Sequence, residues 1–264
     1  MLTIIFIYLV LGSFVGVLAG VFGVGGGIIV VPVLLFSFRL MGMEEAYLAH
    51  MAIATSHAAI IFTSSSSSYI YNKSGNVNWR TVYFLTPGLL VGGLIIGPNV
   101  ADILPSSILQ IIFAFFMVVV AIKMWFGLSP KVEGNIPSRP AMAVVGGGIG
   151  SISSILGIGG GSLTVPFLTW RGVPIRNAVG TSVSCGIVIA ISSTIGYIYT
   201  GLGEPGLPDN TYGYVYWPAL LGIVSTSMLF VRLGVKIAVL LDEKLQKKLF
   251  SLLLIVVAIK MLIA

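Results

Sequence analysis

The chain has 264 residues, of which 57% are hydrophobic and only 8% are charged, and its mean hydropathy is +1.07. Soluble globular domains carry about 25% charged residues, so the composition excludes that class and indicates a polytopic membrane protein with almost no extramembrane domain. The net charge of +6 arises from 14 Lys and Arg residues against 8 Asp and Glu residues, and we interpret it as topology-setting charge rather than as a nucleic-acid surface.

Long apolar stretches divide the chain into ten predicted helical segments. A bilayer core of about 30 Å needs around 20 helical residues, and the continuous hydrophobicity favours helices over the alternating strands of a barrel. The fold class we expect is therefore an all-α polytopic membrane protein, with eight spans by conventional counting or ten helical segments. The predicted segments are 2–22, 27–38, 46–71, 81–101, 106–127, 140–156, 161–170, 174–200, 213–233 and 243–263.

The first two segments recur as the sixth and seventh. GSFVGVLAGVFGVGGGIIVVPVLL from Gly12 matches GGGIGSISSILGIGGGSLTVPFLT from Gly146 at an offset of 134 residues. Ala54-Thr55-Ser56 likewise recurs as Gly180-Thr181-Ser182, at an offset of 126. We therefore predict two homologous transmembrane repeats, 1–127 and 140–264, joined by a cytoplasmic linker at 128–139.

The positions of Lys and Arg predict how the repeats are oriented. If each glycine-broken helix crossed the membrane once, the repeats would be parallel and most basic residues would lie outside, against the positive-inside rule. If each break is a reversal, the repeats are inverted, both termini lie outside, and only Arg39 and Lys260 are external. The cytoplasmic residues would then be Lys73, Arg80, Lys123, Lys131, Arg139, Arg171, Arg176, Arg232, Lys236, Lys244, Lys247 and Lys248. We predict the inverted arrangement.

Two kinds of glycine pattern have different interpretations. Small residues four apart, at Gly12, Gly16 and Gly20 and again at Gly146, Gly150 and Ser154, are typical of a helix-packing face. The G-x-G-G-G clusters ending at Gly27 and Gly161 instead break a membrane helix and expose backbone amides, which must face protein or a wet cavity. The short helix after each break directs its N-terminal amides towards the gap, which favours an anion. A tight turn needed only for packing is the alternative, and we favour a substrate site because the cluster occurs twice.

Polar residues on the third and eighth segments complete the candidate site. Hydroxyls on Thr55, Ser56, Thr181 and Ser182 either line a cavity or bond their own helix harmlessly. Two helical stripes modestly favour a cavity. One comprises Ser56, Thr63 and Ser67, and the other Thr181, Cys185 and Ser192. His57 is either a functional ionisable group or a neutral side chain bonded across helices. Arg176 is either a topogenic charge or a guide for an approaching anion.

The predicted substrate-binding residues are Gly25, Gly26, Gly27, Thr55, Ser56, His57, Gly159, Gly160, Gly161, Asn177, Thr181 and Ser182. We predict no cofactor, since the single cysteine, Cys185, cannot form a cysteine metal cluster or an intramolecular disulfide. No Asp or Glu lies well inside a span, so carboxylate-based proton or sodium coupling has little support.

The duplicated G-x-G-G-G with a proline five residues on, followed by A/G-T-S, resembles the sulfite exporter TauE/SafE family over roughly residues 5–263. Gly25 to Gly27, Pro32, Thr55 and Ser56 match the first family motif, and Gly159 to Gly161, Pro166, Thr181 and Ser182 match the second. The resemblance implies a transporter of sulfite, sulfoacetate or another organosulfonate in a bacterial or archaeal inner membrane. We expect a secondary transporter of a small anion, working by alternating access. A passive anion channel is the alternative, and a membrane enzyme is a third, less supported possibility.

Overall fold

The computed structural model describes residues 2–22, 27–126, 138–240 and 243–263. The helices of the first half are α1 (Leu2–Phe22), α2 (Gly27–Leu40), α3 (Leu48–Lys73), α4 (Trp79–Ile103) and α5 (Ser106–Phe126). Those of the second half are α6 (Arg139–Leu156), α7 (Gly161–Trp170), α8 (Ile175–Thr200), α9 (Trp217–Leu240) and α10 (Glu243–Ile263). The protein is an all-α polytopic membrane protein, and α4, α5 and α8 are long and apolar enough to cross a membrane.

The ten helices coincide with the ten predicted segments apart from their ends. The largest difference concerns the segment predicted at 213–233, which is helical only from Trp217 and continues to Leu240. Its first residues form a two-stranded antiparallel hairpin, in which β2 (Val215–Tyr216) pairs with β1 (Thr211–Tyr212). Most of the predicted linker lies outside the described residues, so the boundaries of the two repeats stay a prediction.

Each glycine break reverses the chain. The Tyr8 hydroxyl near the start of α1 donates a hydrogen bond to the Met41 sulfur just after α2, at 3.2 Å. In the second half, Arg139 at the start of α6 lies over the Phe84 ring near the start of α4, 5.1 Å from its centroid. Gly180, shortly after α7, contacts the α3–α4 turn at Asn76. The pair α1–α2 therefore enters and leaves at one end of the molecule, and the pair α6–α7 enters and leaves at the opposite end.

The two halves are inverted relative to each other. The corresponding helices α3 and α8 run antiparallel, because Ser68 and Ser184 lie 2.7 Å apart through their hydroxyls while His57 stacks against Tyr197. The corresponding helices α5 and α10 are also antiparallel, with Ser251 donating to the Ala121 carbonyl at 2.8 Å and Lys248 over the Trp125 ring. Parallel repeats would make both pairs parallel, so the inverted arrangement is confirmed.

Small residues bring the halves together, as the sequence predicts. A Cβ added at Gly12 would lie 2.7 Å from the Cα of Ile223 in α9, and one at Gly150 in α6 would lie 3.0 Å from the Cα of Leu89 in α4. The first helix of each half thus packs against the fourth helix of the other half, backbone against backbone. Such close approach is possible only because these positions have no side chain.

The two ends of the molecule differ in charge. The end at which α2 finishes, here called the acidic end, carries Glu44, Glu45, Asp102, Glu204 and Asp209. The opposite end, here called the basic end, carries Lys73, Arg80, Lys123, Arg139, Arg171, Arg176 and Lys248. The inverted fold is what separates these charges, because it places the loops after α3 and α7 on one side.

Candidate functional site

The start of α2 meets the second break in the interior. Gly25 and Gly26, two of the predicted site residues, lie outside the described residues. Gly27, the first residue of α2, is buried, and a Cβ added there would lie 3.0 Å from both the Gly157 carbonyl oxygen and the Cα of Ile158. The start of α2 therefore contacts the end of α6, where the second break begins.

Side chains from α3 and α8 terminate α6. Gly157 has a left-handed conformation with φ of 64°, and the Ile158 amide donates back to the Ser153 carbonyl, which ends the helix in the manner that glycine favours. Ser56 donates its hydroxyl to the Gly157 carbonyl at 2.8 Å. His57 and Tyr197 both reach the Ser154 carbonyl, each at 3.1 Å.

These bonds define the state of His57. A carbonyl only accepts hydrogen bonds, so the Nε2 atom carries a proton, and Nδ1 has no partner among the described residues. The side chain is fully buried and stacks against Tyr197, with ring centroids 6.2 Å apart. The geometry is that of a histidine bonded across helices, positioning the end of α6.

The two motif threonines have equivalent partners. Thr181 accepts a hydrogen bond from the Asn78 amide just before α4, and Thr55 accepts one from the Tyr216 amide just before α9, both at 3.0 Å. The helices α4 and α9 are the fourth helices of the two halves. Each threonine therefore bonds to the backbone at the start of the fourth helix of the other half. Asn177 lies in the first turn of α8, nearer to the basic end than Gly180, which contacts the α3–α4 turn. The structure does not bring Asn177 to the breaks.

The second break has open space and unpaired hydroxyls. No atom lies within 4 Å of a Cβ added at Gly161, the first residue of α7. A Cβ added at Gly160 would lie 3.2 Å from Thr164 Oγ1. Thr164 and Ser182 are both fully buried, and neither hydroxyl has a hydrogen-bond partner among the described residues. An unpaired buried hydroxyl costs about 1–3 kcal/mol, so such groups at a helix N-terminus suit a ligand.

Two further small residues, Gly186 and Ser64, lie near Gly160. A Cβ added at Gly186 in α8 would lie 3.3 Å from Ser64 Oγ and 3.5 Å from the Gly160 amide nitrogen. Ser64 is buried on α3, one turn before Ser68, whose hydroxyl pairs with that of Ser184. We call the group formed by Gly159–Gly161, Thr164, Ser182, Gly186 and Ser64 the second-break site.

Sequence reasoning missed part of this group. The predicted stripe contained Thr63 and Ser67, yet both hydroxyls bond carbonyls of their own helix. The buried serines of α3, Ser64 and Ser68, lie one position further along. Ser64 and Ser68 are four residues apart, as two residues on one face of a helix are. Because all five residues from 64 to 68 are serines, the sequence does not show which of them face the interior. Thr164 is matched by Val30 in the first half, and that difference was the available signal.

The acidic end is closed above Thr55 by the β1–β2 hairpin. Tyr214 in its turn is buried and donates to the Asp102 carboxylate at 2.9 Å, and Tyr47 donates to Glu204 at 3.2 Å. Burial raises the pKa of Tyr214 well above its usual value, and the Asp102 carboxylate acts in the same direction. The phenol therefore stays a hydrogen-bond donor at neutral pH.

Comparison with known proteins agrees with this architecture. The family model for the sulfite exporter TauE/SafE matches residues 8–261. The chain belongs to the sulfite exporter TauE/SafE family. A "probable membrane transporter protein" of Haemophilus influenzae is 38% identical over 262 residues, covering 99% of each chain. Proteins with similar names from Methanocaldococcus jannaschii and Bacillus subtilis are 28% and 27% identical, and this chain covers 94% of each. The protein is thus a multi-pass membrane transporter.

Proposed function

We propose that this TauE/SafE member is a secondary transporter of a small anion, with sulfite or an organosulfonate as the substrate class, in the cell membrane. The observation that carries the proposal is the second-break site. There the unpaired hydroxyls of Thr164 and Ser182 are buried near the N-terminus of α7, and open space lies beside Gly161. The donors named there are uncharged, so the attraction for an anion comes from amides, hydroxyls and the helix dipole.

Sulfite and sulfonates suit such a site because each presents three oxygens that accept hydrogen bonds and no donor that must be satisfied. Backbone amides of Gly159–Gly161 and the two hydroxyls supply donors from more than one direction. The alternating-access part of the proposal is supported by the inverted pairing of α3 with α8, since inverted repeats around a central site are typical of carriers.

The direction of transport follows from the membrane potential if transport is uncoupled. An inside-negative potential favours anion export by about 2.3 kcal/mol per charge per 100 mV. Placing the basic end in the cytoplasm, as the positive-inside rule requires, gives the approaching anion a positively charged surface on that side.

The proposal is tested by flux of labelled sulfite and a panel of sulfonates across proteoliposomes, with and without imposed pH and voltage gradients. Thr164→Val keeps the side-chain shape and removes the hydroxyl. Losing one hydrogen bond to an anion should weaken the apparent affinity about tenfold. Thr169→Val is the matched control on the same helix, because the Thr169 hydroxyl is already bonded to the Val165 carbonyl.

Other outcomes separate the alternatives. Stimulation of efflux by substrate on the opposite side identifies a carrier, whereas non-saturable flux without such exchange identifies a channel. Chemical conversion of the substrate by folded protein would identify an enzyme. If well-folded protein moves none of these sulfur anions, the substrate assignment is wrong. Equal affinity losses in Thr164→Val and Thr169→Val would remove the second-break site from the proposal.

A further inference from the structure

A cavity of about 410 Å³ lies at the acidic end, between the end of α2, the start of α5 and the end of α10. Its volume falls within the range of about 300–1,000 Å³ typical of small-molecule sites. Its lining is mixed, with a polar wall and an apolar wall. The polar wall includes Arg39, Glu45, Ser107 and Gln110, and the apolar wall includes Ile111, Met261 and Leu262. The cavity is formed by elements other than those of the second-break site, so nothing above accounts for it.

The polar wall presents opposite charges side by side. Arg39 Nε lies 3.5 Å from the nearer carboxylate oxygen of Glu45, and Arg39 Nη2 donates to the Gln110 amide oxygen at 3.4 Å. Both distances are long, and Nε is buried without a hydrogen-bond partner among the described residues. The Arg39 side chain is nevertheless 28% exposed, so its remaining Nη donors are available to the oxygens of a phosphate group.

The apolar wall continues onto the lipid-facing surface. Ile111 and Leu262 are both more than half exposed, at 54% and 55%, and Phe115 follows one turn beyond Ile111 at 69%. In a membrane protein such exposed apolar residues on α5 and α10 contact acyl chains. The cavity is thus a polar recess at the end of a lipid-covered groove.

Two basic residues of the acidic end lie near this recess. Among the described Lys and Arg residues, Arg39 and Lys260 are the two at this end, and Lys260 precedes the lining residue Met261. Its ammonium lies over the ring of Phe36, one turn before Arg39, at 5.1 Å from the centroid. The cavity therefore presents one cation, Arg39, beside one carboxylate, Glu45, with a second cation, Lys260, nearby.

We propose that this cavity binds the head group of a phospholipid, specifically phosphoethanolamine, with its acyl chains along α5 and α10. The phosphate oxygens accept hydrogen bonds from Arg39 and Gln110, and the ethanolamine ammonium donates to Glu45. A head group with both charges complements the Arg39–Glu45 pair, whereas a simple anion would meet the Glu45 carboxylate unfavourably. The apolar wall favours a lipid over a water-soluble phosphate ester.

The test is lipid retention by the full-length protein, purified from mixed bilayers containing equal amounts of phosphatidylethanolamine, phosphatidylglycerol and phosphatidylcholine, and measured by native mass spectrometry. Phosphatidylethanolamine should be enriched over the other two. Arg39→Gln should reduce its retention about tenfold, the effect of one charge-assisted hydrogen bond. Lys73→Gln, at the basic end, is the matched control and should change nothing.

Head-group preference provides a second measurement that does not depend on total retention. Glu45→Gln should abolish the preference for phosphatidylethanolamine over phosphatidylglycerol while leaving both bound through Arg39. Equal retention of all three lipids by the unmodified protein, or identical retention in Arg39→Gln, would overturn the proposal. Equally tight binding of free phosphoethanolamine would overturn its lipid part, since acyl chains would then contribute nothing.

Discussion

The two short helices that follow the glycine breaks come from one repeated motif, but they lie in different surroundings. In α2, the first-turn residues Ile28 to Val31 are buried, and Ile60 of α3 fills the space beside Gly27. In α7, most residues are half-buried, and no atom occupies the position that a Cβ on Gly161 would take. The start of α2 is thus part of the core, whereas the start of α7 is half-buried with open space beside Gly161.

The difference originates both in the short helices and in the helices that face them. Ile60 on α3 and Gly186 on α8 are counterparts at the offset of 126 residues, and likewise Val30 and Thr164 are counterparts at the offset of 134. Ile60 therefore fills the space beside Gly27, whereas its counterpart Gly186 adds no side chain beside Gly160. Apolar side chains also border the second break, since Ile60 lies beside Gly159 and Ile189 beside Gly160.

The largest expected effect is on stability, at the packed break. Gly27→Val would place side-chain atoms against the backbone of Gly157 and Ile158, and we expect a loss of about 3 kcal/mol because an overpacked core cannot relax there. Gly161→Val, at the equivalent position of the second repeat, enters open space and should leave stability nearly unchanged. Thermal unfolding of both variants in detergent measures the contrast. Equal destabilisation would mean that the two breaks are packed alike.

How far the sequence predicts this architecture depends on the kind of information required. The helices follow from hydropathy, the reversals from a repeated motif, and the inversion from the positions of Lys and Arg. All of these can be read from the sequence without knowing which residues touch. The surroundings of the second break could not be predicted, because they depend on Gly186 lying beside Gly160 from another helix. Similarly, the hydroxyls of Thr55 and Thr181 gave no indication that they bond to amides more than 100 residues away.

A smaller effect is expected on transport when the second break is made to resemble the first. Gly186→Ile introduces the counterpart of Ile60 beside Ser64 and the Gly160 amide, so it should fill the second-break site and reduce anion flux about tenfold or more. Ile191→Val, at an exposed position of the same helix, is the control. Proteoliposome flux with unfolding temperature measured in parallel distinguishes blockage from misfolding. Normal flux in folded Gly186→Ile protein would place the anion elsewhere.

The smallest effect should appear in both halves. Thr55→Val and Thr181→Val each remove a hydroxyl that accepts from a backbone amide at the start of α9 or α4, and each leaves that amide without its partner. We expect each variant to lose about 1 kcal/mol of unfolding free energy, by the usual net value of such a bond. Because both threonines hold helix starts, their variants should retain substrate affinity at matched stability, unlike Thr164→Val. A selective loss of affinity in Thr181→Val would instead extend the second-break site to this threonine. The two threonines would then differ in function although their hydrogen bonds are equivalent.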